Sequence, residues 1–188
     1  MTTLKAYRIF NEDGKVASRY VDMKLAELDA GNVVIKVAYS SVNFKDALAA
    51  TGAGRIIRRF PCVGGIDLSG TVVESGDARF RQGDAVIATS YDIGVAHDGG
   101  YAQYARIPAD WVVAMPKGLD LFESMALGTA GFTAALAVER MEHDGLKPAN
   151  GPVIVTGATG GVGSIAVDIL AGAGYDVVAL TGKENATA

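Results

Sequence analysis

The segment Ala158-Thr159-Gly160-Gly161-Val162-Gly163 gathers small residues where backbone, rather than side chains, must do the chemistry. With alanine in the first glycine position, it fits the G-x-G-x-x-G spacing of a dinucleotide-binding turn. Gly160 lets backbone approach a pyrophosphate, and Gly163 lets a helix pack closely on a strand. Together with Thr159, Gly161 and Val162 they form a loop whose amide N–H groups, at the positive end of a helix, suit anionic oxygens. Such a motif alone is weak, because a glycine-rich turn can be purely structural. Its setting strengthens it. The apolar run Val153-Ile154-Val155-Thr156 precedes it, Ile165–Ala171 reads as a helix, Gly174 closes that helix, and Asp176-Val177-Val178-Ala179-Leu180 is a second apolar run. Strand, glycine turn, helix and strand make one βαβ unit, the opening of a doubly wound parallel sheet with buried strands.

Thr181-Gly182-Lys183 follows the second run, about 20 residues beyond the glycine turn. An NAD site places Asp or Glu there to hold the ribose 2′-hydroxyl, and a carboxylate would repel a 2′-phosphate. A hydroxyl and a lysine attract one. This reading favours NADPH over NADH. Glu184 would weaken it if the turn shifted by one residue, and the plainer reading of Lys183 is a solvated surface lysine.

The elements that must carry this chemistry differ along the chain. Up to Met115-Pro116-Lys117-Gly118 the sequence reads as mostly β. Val33–Tyr39, Gly70–Glu74 and Asp84–Ala88 are strand-like, and Tyr101–Ile107 alternates apolar and polar residues as a half-buried strand does. Turn signals at Glu12-Asp13-Gly14, Ser75-Gly76-Asp77, Gln82-Gly83-Asp84 and Asp98-Gly99-Gly100 separate these runs, as in a small barrel-like β domain. Beyond Gly118 the chain turns helical, with a long alanine- and leucine-rich stretch over Leu121–Met141. Of the 188 residues, 49% are apolar, 20% are charged and 24 are glycine, and the net charge is −4. That excludes the basic face of a nucleic-acid binder. The single cysteine, Cys62, excludes an intrachain disulfide and a multi-cysteine zinc site. The N-terminal residues show no signal-peptide pattern and no uncharged apolar run reaches about 18 residues, so a cytoplasmic protein without a membrane span is expected.

Ser40-Ser41-Val42-Asn43-Phe44-Lys45-Asp46-Ala47-Leu48, Gly64-Gly65-Ile66-Asp67-Leu68-Ser69-Gly70-Thr71-Val72, Asp98-Gly99-Gly100-Tyr101, Gly128-Thr129-Ala130-Gly131-Phe132-Thr133-Ala134 and the glycine turn occur in one order. In that order they resemble the YhdH/YhfP branch of quinone oxidoreductases, which includes acrylyl-CoA reductases, within the medium-chain dehydrogenase/reductase superfamily. The resemblance implies an α/β protein: a GroES-like β-barrel catalytic domain over residues 1–118, then the first part of a Rossmann doubly wound parallel sheet over 119–188, with the active site in the cleft between domains. It implies zinc-independent hydride transfer from NADP(H) to an activated C=C bond or a quinone. It also implies a small-molecule substrate and a homo-oligomer, a dimer, in a longer full-length form. These 188 residues alone are expected to have little activity.

By the same resemblance Asn43 lies near the nicotinamide ribose and substrate, where a neutral amide holds a hydroxyl or polarises a carbonyl; otherwise it bonds its own loop. Phe44 stands where this branch more often has a cofactor-contacting Tyr. Asp46 orients the loop or caps the following helix. Thr129 and Thr133 fall in a nicotinamide-side helix, where a hydroxyl bonds the carboxamide or simply packs. Tyr91 lines the substrate cleft or donates a proton, or is a core tyrosine. Zinc-dependent relatives carry Cys near Asn43 and His-Glu where this chain has Ile66-Asp67, so three zinc ligands are not available. Arg55, Arg58 and Arg59 read as a solvated run better than as a CoA-phosphate site, and Cys62 as a small core residue. The competing readings are a non-catalytic NADPH-binding protein on the same fold and, less well supported, a zinc alcohol dehydrogenase.

Overall fold

A computed structural model describes residues 3–183, so Glu184 lies outside the described residues. The chain divides into two compact units, residues 1–129 and 130–188. The division falls later than the Gly118 boundary expected from composition.

The first unit opens with a hairpin, β1 (Thr3–Glu12) and β2 (Lys15–Lys24). Its turn residues Asp13 and Gly14 have φ of 52° and 82°, the left-handed pair that matches the twist of a two-residue hairpin. Then come β3 (Val33–Tyr39), α1 (Phe44–Thr51), β4 (Cys62–Val63), β5 (Asp67–Ser75), β6 (Ala85–Thr89), β7 (Tyr104–Ile107) and β8 (Val112–Ala114). They form two antiparallel sheets, ordered β2-β1-β4 and β7-β3-β5-β6-β8. Val33, Ile35, Leu68, Val72, Val86 and Ile107 are essentially sealed from solvent in the core of the larger sheet. Burial of each such side chain contributes about 1.5–3 kcal/mol.

The strand expected over 101–107 begins only at Tyr104. Upstream of it the backbone is bonded to both sheets. The Tyr101 carbonyl accepts the Tyr7 N–H at 2.7 Å, the Gln103 N–H donates to Lys5 O at 3.1 Å, and Gln103 O accepts the Val37 N–H at 3.0 Å. Side-chain alternation registers burial, and cannot tell a strand from such a bridging segment.

The helix α2 (Leu121–His143) spans the division and departs from helical geometry at Gly128, where φ is 51° and ψ −154°. By length and composition α2 could cross a membrane. The break at Gly128 leaves only about 15 continuous helical residues, against about 20 for a span, and Glu139, Arg140 and Glu142 crowd its end.

In the second unit β9 (Val153–Thr156), α3 (Gly161–Gly172) and β10 (Val177–Leu180) form the expected βαβ unit, with β9 and β10 parallel in register Val153↔Val177. Among the described residues the strands are covered on one face only. Val153, Val155 and Val177 pack with Val138, Leu170 and Tyr175, while Ile154 and Leu180 are 64% and 56% exposed. Alternate residues of a strand point to opposite faces, so an apolar run reads as fully buried even when one face is open.

Candidate functional site

Each unit carries part of the predicted chemistry. In the second, the chain leaves β9 through Gly157, whose φ is +62°. The left-handed turn is made by Gly157, which the spacing rule does not include among the site residues. Ala158 is instead a buried packing residue whose N–H donates to Leu180 O at 3.1 Å. Gly160 caps α3 and its N–H donates to Gly157 O at 2.8 Å. A Cβ on Gly163 would stand 2.3 Å from Gly157 O, so only glycine fits there. The first N–H groups of α3, from Gly161 onward, have no carbonyl a turn earlier to bond. Gly161 and Val162 are exposed. This is an anion-binding cradle in build.

The cradle is tied to the end of β10. Thr159 Oγ1 and Thr181 Oγ1 share a hydrogen bond of 3.0 Å, and the Lys183 N–H donates to Thr181 Oγ1 at 3.2 Å. Thr159, Thr181, Gly182 and Lys183 are thereby brought together, with the lysine side chain exposed.

In the first unit Asp67 is the centre. It begins β5, is sealed from solvent, and its side chain collects donors from two segments. Oδ1 accepts the Ser41 N–H at 3.0 Å. Oδ2 accepts the Ser41 hydroxyl at 2.5 Å, Asn43 Nδ2 at 3.1 Å, and both the N–H and the hydroxyl of Thr129 at 3.0 Å. The turn at Gly128 delivers Thr129 to it. A Cβ on Gly128 would lie 2.6 Å from Ser41 Oγ and 3.1 Å from Asp67 Oδ2. Thr89, at the end of β6, continues the network to Thr129 at 2.8 Å.

Asn43 is the N-cap residue of α1. The carboxylate of Asp46, at the third helical position, accepts the Asn43 backbone N–H at 2.9 Å and Nδ2 at 3.2 Å. It also accepts the Ile66 N–H at 3.1 Å. Asp46 thus both caps the helix and orients the loop, and burial raises its pKa above the ordinary 3.8. Tyr101 donates its hydroxyl to Ser41 O at 3.0 Å, holding the loop from the far side. The structure therefore joins Asn43 and Thr129, distant in sequence, through Asp67. From sequence, Asp67 was only the remnant of a ligand set.

Phe44, the first residue of α1, is 81% exposed. Tyr91 is exposed rather than in the core, and its ring lies flat on Trp111 with centroids 5.1 Å apart. No hydrogen bond among the described residues links it to the Asp67 network. Arg58 pairs with Asp92 at 2.5 Å, and Arg59 with the carboxylates of Asp29 and Asp98, so both are engaged internally. Cys62 is buried, and burial pushes its thiol up to about 12. Among the described residues no group of three or more His, Cys, Asp or Glu side chains gathers as a metal site.

Residues 29–117 match the alcohol dehydrogenase GroES-like domain. The putative quinone oxidoreductase YhfP of Bacillus subtilis is 57% identical over 160 residues, covering 85% of this chain and 48% of YhfP. Its structure, solved with NAD bound, superposes with a TM-score of 0.95 over 99% of this chain and 56% of that one, at 50% identity. The chain belongs to the YhdH/YhfP branch of the medium-chain dehydrogenase/reductase superfamily. Within that branch, the acrylyl-CoA reductase AcuI of Ruegeria pomeroyi is 50% identical over 172 residues, covering 92% of this chain and 52% of AcuI. The YhdH oxidoreductase of Salmonella enterica, in complex with NADP, gives a TM-score of 0.94 at 47% identity, over 96% of this chain and 56% of that one. The chain spans about half the length of the relatives it matches. Its fold class is that of the branch: a GroES-like β unit followed by the first βαβ of a Rossmann sheet.

Proposed function

We propose that the chain is part of a zinc-independent oxidoreductase that uses NADPH to reduce an activated C=C bond, in an enoyl or acrylyl thioester or an α,β-unsaturated carbonyl, or to reduce a quinone. The observation that carries this reading is the cradle at α3 tied through Thr159 and Thr181 to a turn bearing Lys183 and no carboxylate among the described residues. Backbone N–H groups of Gly161, Val162 and Gly163 would hold the pyrophosphate, and Thr181, Gly182 and Lys183 a 2′-phosphate. Relatives are known with NADP and with NAD bound; the lysine favours NADP(H) here. When bound, the cofactor supplies the hydride.

The first unit supplies the substrate side in this reading. Asn43 and Thr129, held by Asp67, position the reacting groups; Phe44 offers an exposed ring for stacking, and Tyr91 an exposed hydroxyl steadied by Trp111. At the positions where zinc-dependent relatives hold their metal stand Asn43, Ile66 and Asp67, and the one carboxylate is spent on hydrogen bonds. The substrate is a small molecule, the compartment is the cytoplasm, and the full-length form is a homodimer.

The test is consumption of NADPH by the full-length protein with an acrylyl or crotonyl thioester and with a benzoquinone. Turnover of one class, faster with NADPH than NADH, is expected. Tight NADPH binding with no turnover of any such acceptor would leave the non-catalytic alternative, which the missing hydroxyl at Phe44 favours.

A further inference from the structure

We infer that Asp67 is a positioning residue that fixes the hydrogen-bond polarity of the Asn43–Thr129 cluster, so that this cluster offers ligands acceptors and no donors. The inference rests on the reading that the cluster faces the ligands of a reductase.

The Asn43 amide sets the pattern. Its two N–H groups serve three oxygens: Ser41 Oγ at 3.2 Å, Asp46 Oδ2 at 3.2 Å and Asp67 Oδ2 at 3.1 Å. Carboxylate oxygens only accept. Turning the amide over would set its carbonyl oxygen against two carboxylates, exchanging charge-assisted hydrogen bonds for repulsion. The orientation is therefore determined by chemistry, and both amide protons are committed inward. What Asn43 has left for a ligand is the carbonyl oxygen.

The same direction runs through the hydroxyls. Ser41 gives its proton to Asp67 Oδ2. Thr129 gives both its N–H and its hydroxyl proton to that same oxygen. The 2.8 Å contact between Thr89 and Thr129 must then have Thr89 as donor. One carboxylate thus draws in the protons of Ser41, Asn43, Thr129 and, through it, Thr89.

The consequence is a selectivity for ligand chemistry. A group seated against Asn43 must itself be a donor, such as a ribose hydroxyl or a carboxamide NH₂. The amide holds a hydroxyl and does not polarise a carbonyl. A developing enolate oxygen needs its donor from outside this cluster.

The deciding experiment is solvent exchange of the Asn43 side-chain NH₂ by nitrogen-edited NMR, its signals identified by their loss in Asn43→Ala. Strong protection is expected without any cofactor, at least tenfold slower than a free asparagine amide, and loss of that protection in Asp67→Asn. An amide that exchanges as fast as a free one would overturn the inference, and this arm stands even if Asp67→Asn does not fold. The second arm titrates NADPH into wild type, Asp67→Asn, Asn43→Ala and the double variant. About tenfold weaker binding is expected in each single variant, with no further loss in the double, because Asp67 acts through Asn43. Independent, multiplying losses would mean that Asp67 is merely structural. Protected Asn43 protons with no NADPH binding in wild type would refute the proposed function and not the polarity.

Discussion

Thr159 and Thr181, one in the glycine turn and one just past β10, meet hydroxyl to hydroxyl at 3.0 Å. Through this contact the loop that would hold a pyrophosphate is fixed against the turn that would hold a 2′-phosphate. Thr181 Oγ1 also accepts the Lys183 N–H. Thr181→Val keeps the shape and removes both bonds at an exposed site, so the melting temperature should shift by no more than a few degrees. NADPH affinity should fall by about three- to tenfold, as the loss of one or two net hydrogen bonds of about 1 kcal/mol allows. Isothermal titration checks it, and unchanged affinity would remove Thr181 from the site.

Gly163 is where the cradle is most intolerant. Its missing side chain faces Gly157 O at 2.3 Å in α3's first turn. Gly163→Ala must push helix and loop apart, at a cost of about 1–3 kcal/mol. Thermal unfolding should show a clear loss of stability, together with weakened dinucleotide binding. A variant as stable as wild type would mean that α3 does not lie this close to the loop.

Asp67→Ala removes the acceptor for the Ser41 N–H, the Asn43 amide and both donors of Thr129. Buried donors left unpaired cost about 1–3 kcal/mol each, and Asp67 is fully buried. We expect a loss of at least about 3 kcal/mol in urea unfolding. A loss under about 1 kcal/mol would show that water or neighbours readily replace this carboxylate.

Burial lifts the carboxyls of Asp46 and Asp98 above 3.8. A carboxyl raised in the folded state contributes stability that is complete below its unfolded value and is lost as pH rises through the folded value. Asp77 works in the opposite sense. Hydrogen bonds from Arg79 hold it at about 2, so its contribution is present above 3.8 and lost as pH falls toward 2; at the surface that contribution is small. From about pH 4 upward, urea midpoints should therefore carry a downward contribution from Asp46 and Asp98. The pH slope should become less negative in Asp46→Asn and in Asp98→Asn. Identical slopes in wild type and both variants would contradict the burial argument.

The βαβ unit was legible in the sequence because its signals are local: two apolar runs, a helical period and glycines at fixed offsets. The spacing rule starts at Ala158 and gives Gly157 no role, and only the backbone angle shows that Gly157 makes the turn. Asn43 and Thr129 could be named from motifs, but their meeting depends on strand β5 carrying Asp67 to both, a long-range contact without a local pattern. The hairpin β1–β2 was marked only by its Asp13-Gly14 turn, since polar and apolar residues mix on its strands. Tyr91 was placed by residue type alone, and its exposure and stacking on Trp111 are set by the fold.

The 2′-phosphate site is tested most directly by a paired titration of the protein with NADPH and NADH, followed by reduced-nicotinamide fluorescence, in wild type and Lys183→Ala. NADPH should bind more tightly than NADH, by about tenfold or more for a paired phosphate charge, with the preference lost in Lys183→Ala and NADH binding unchanged. Equal affinities in wild type, or a preference for NADPH that survives the substitution, would contradict a 2′-phosphate site at Lys183.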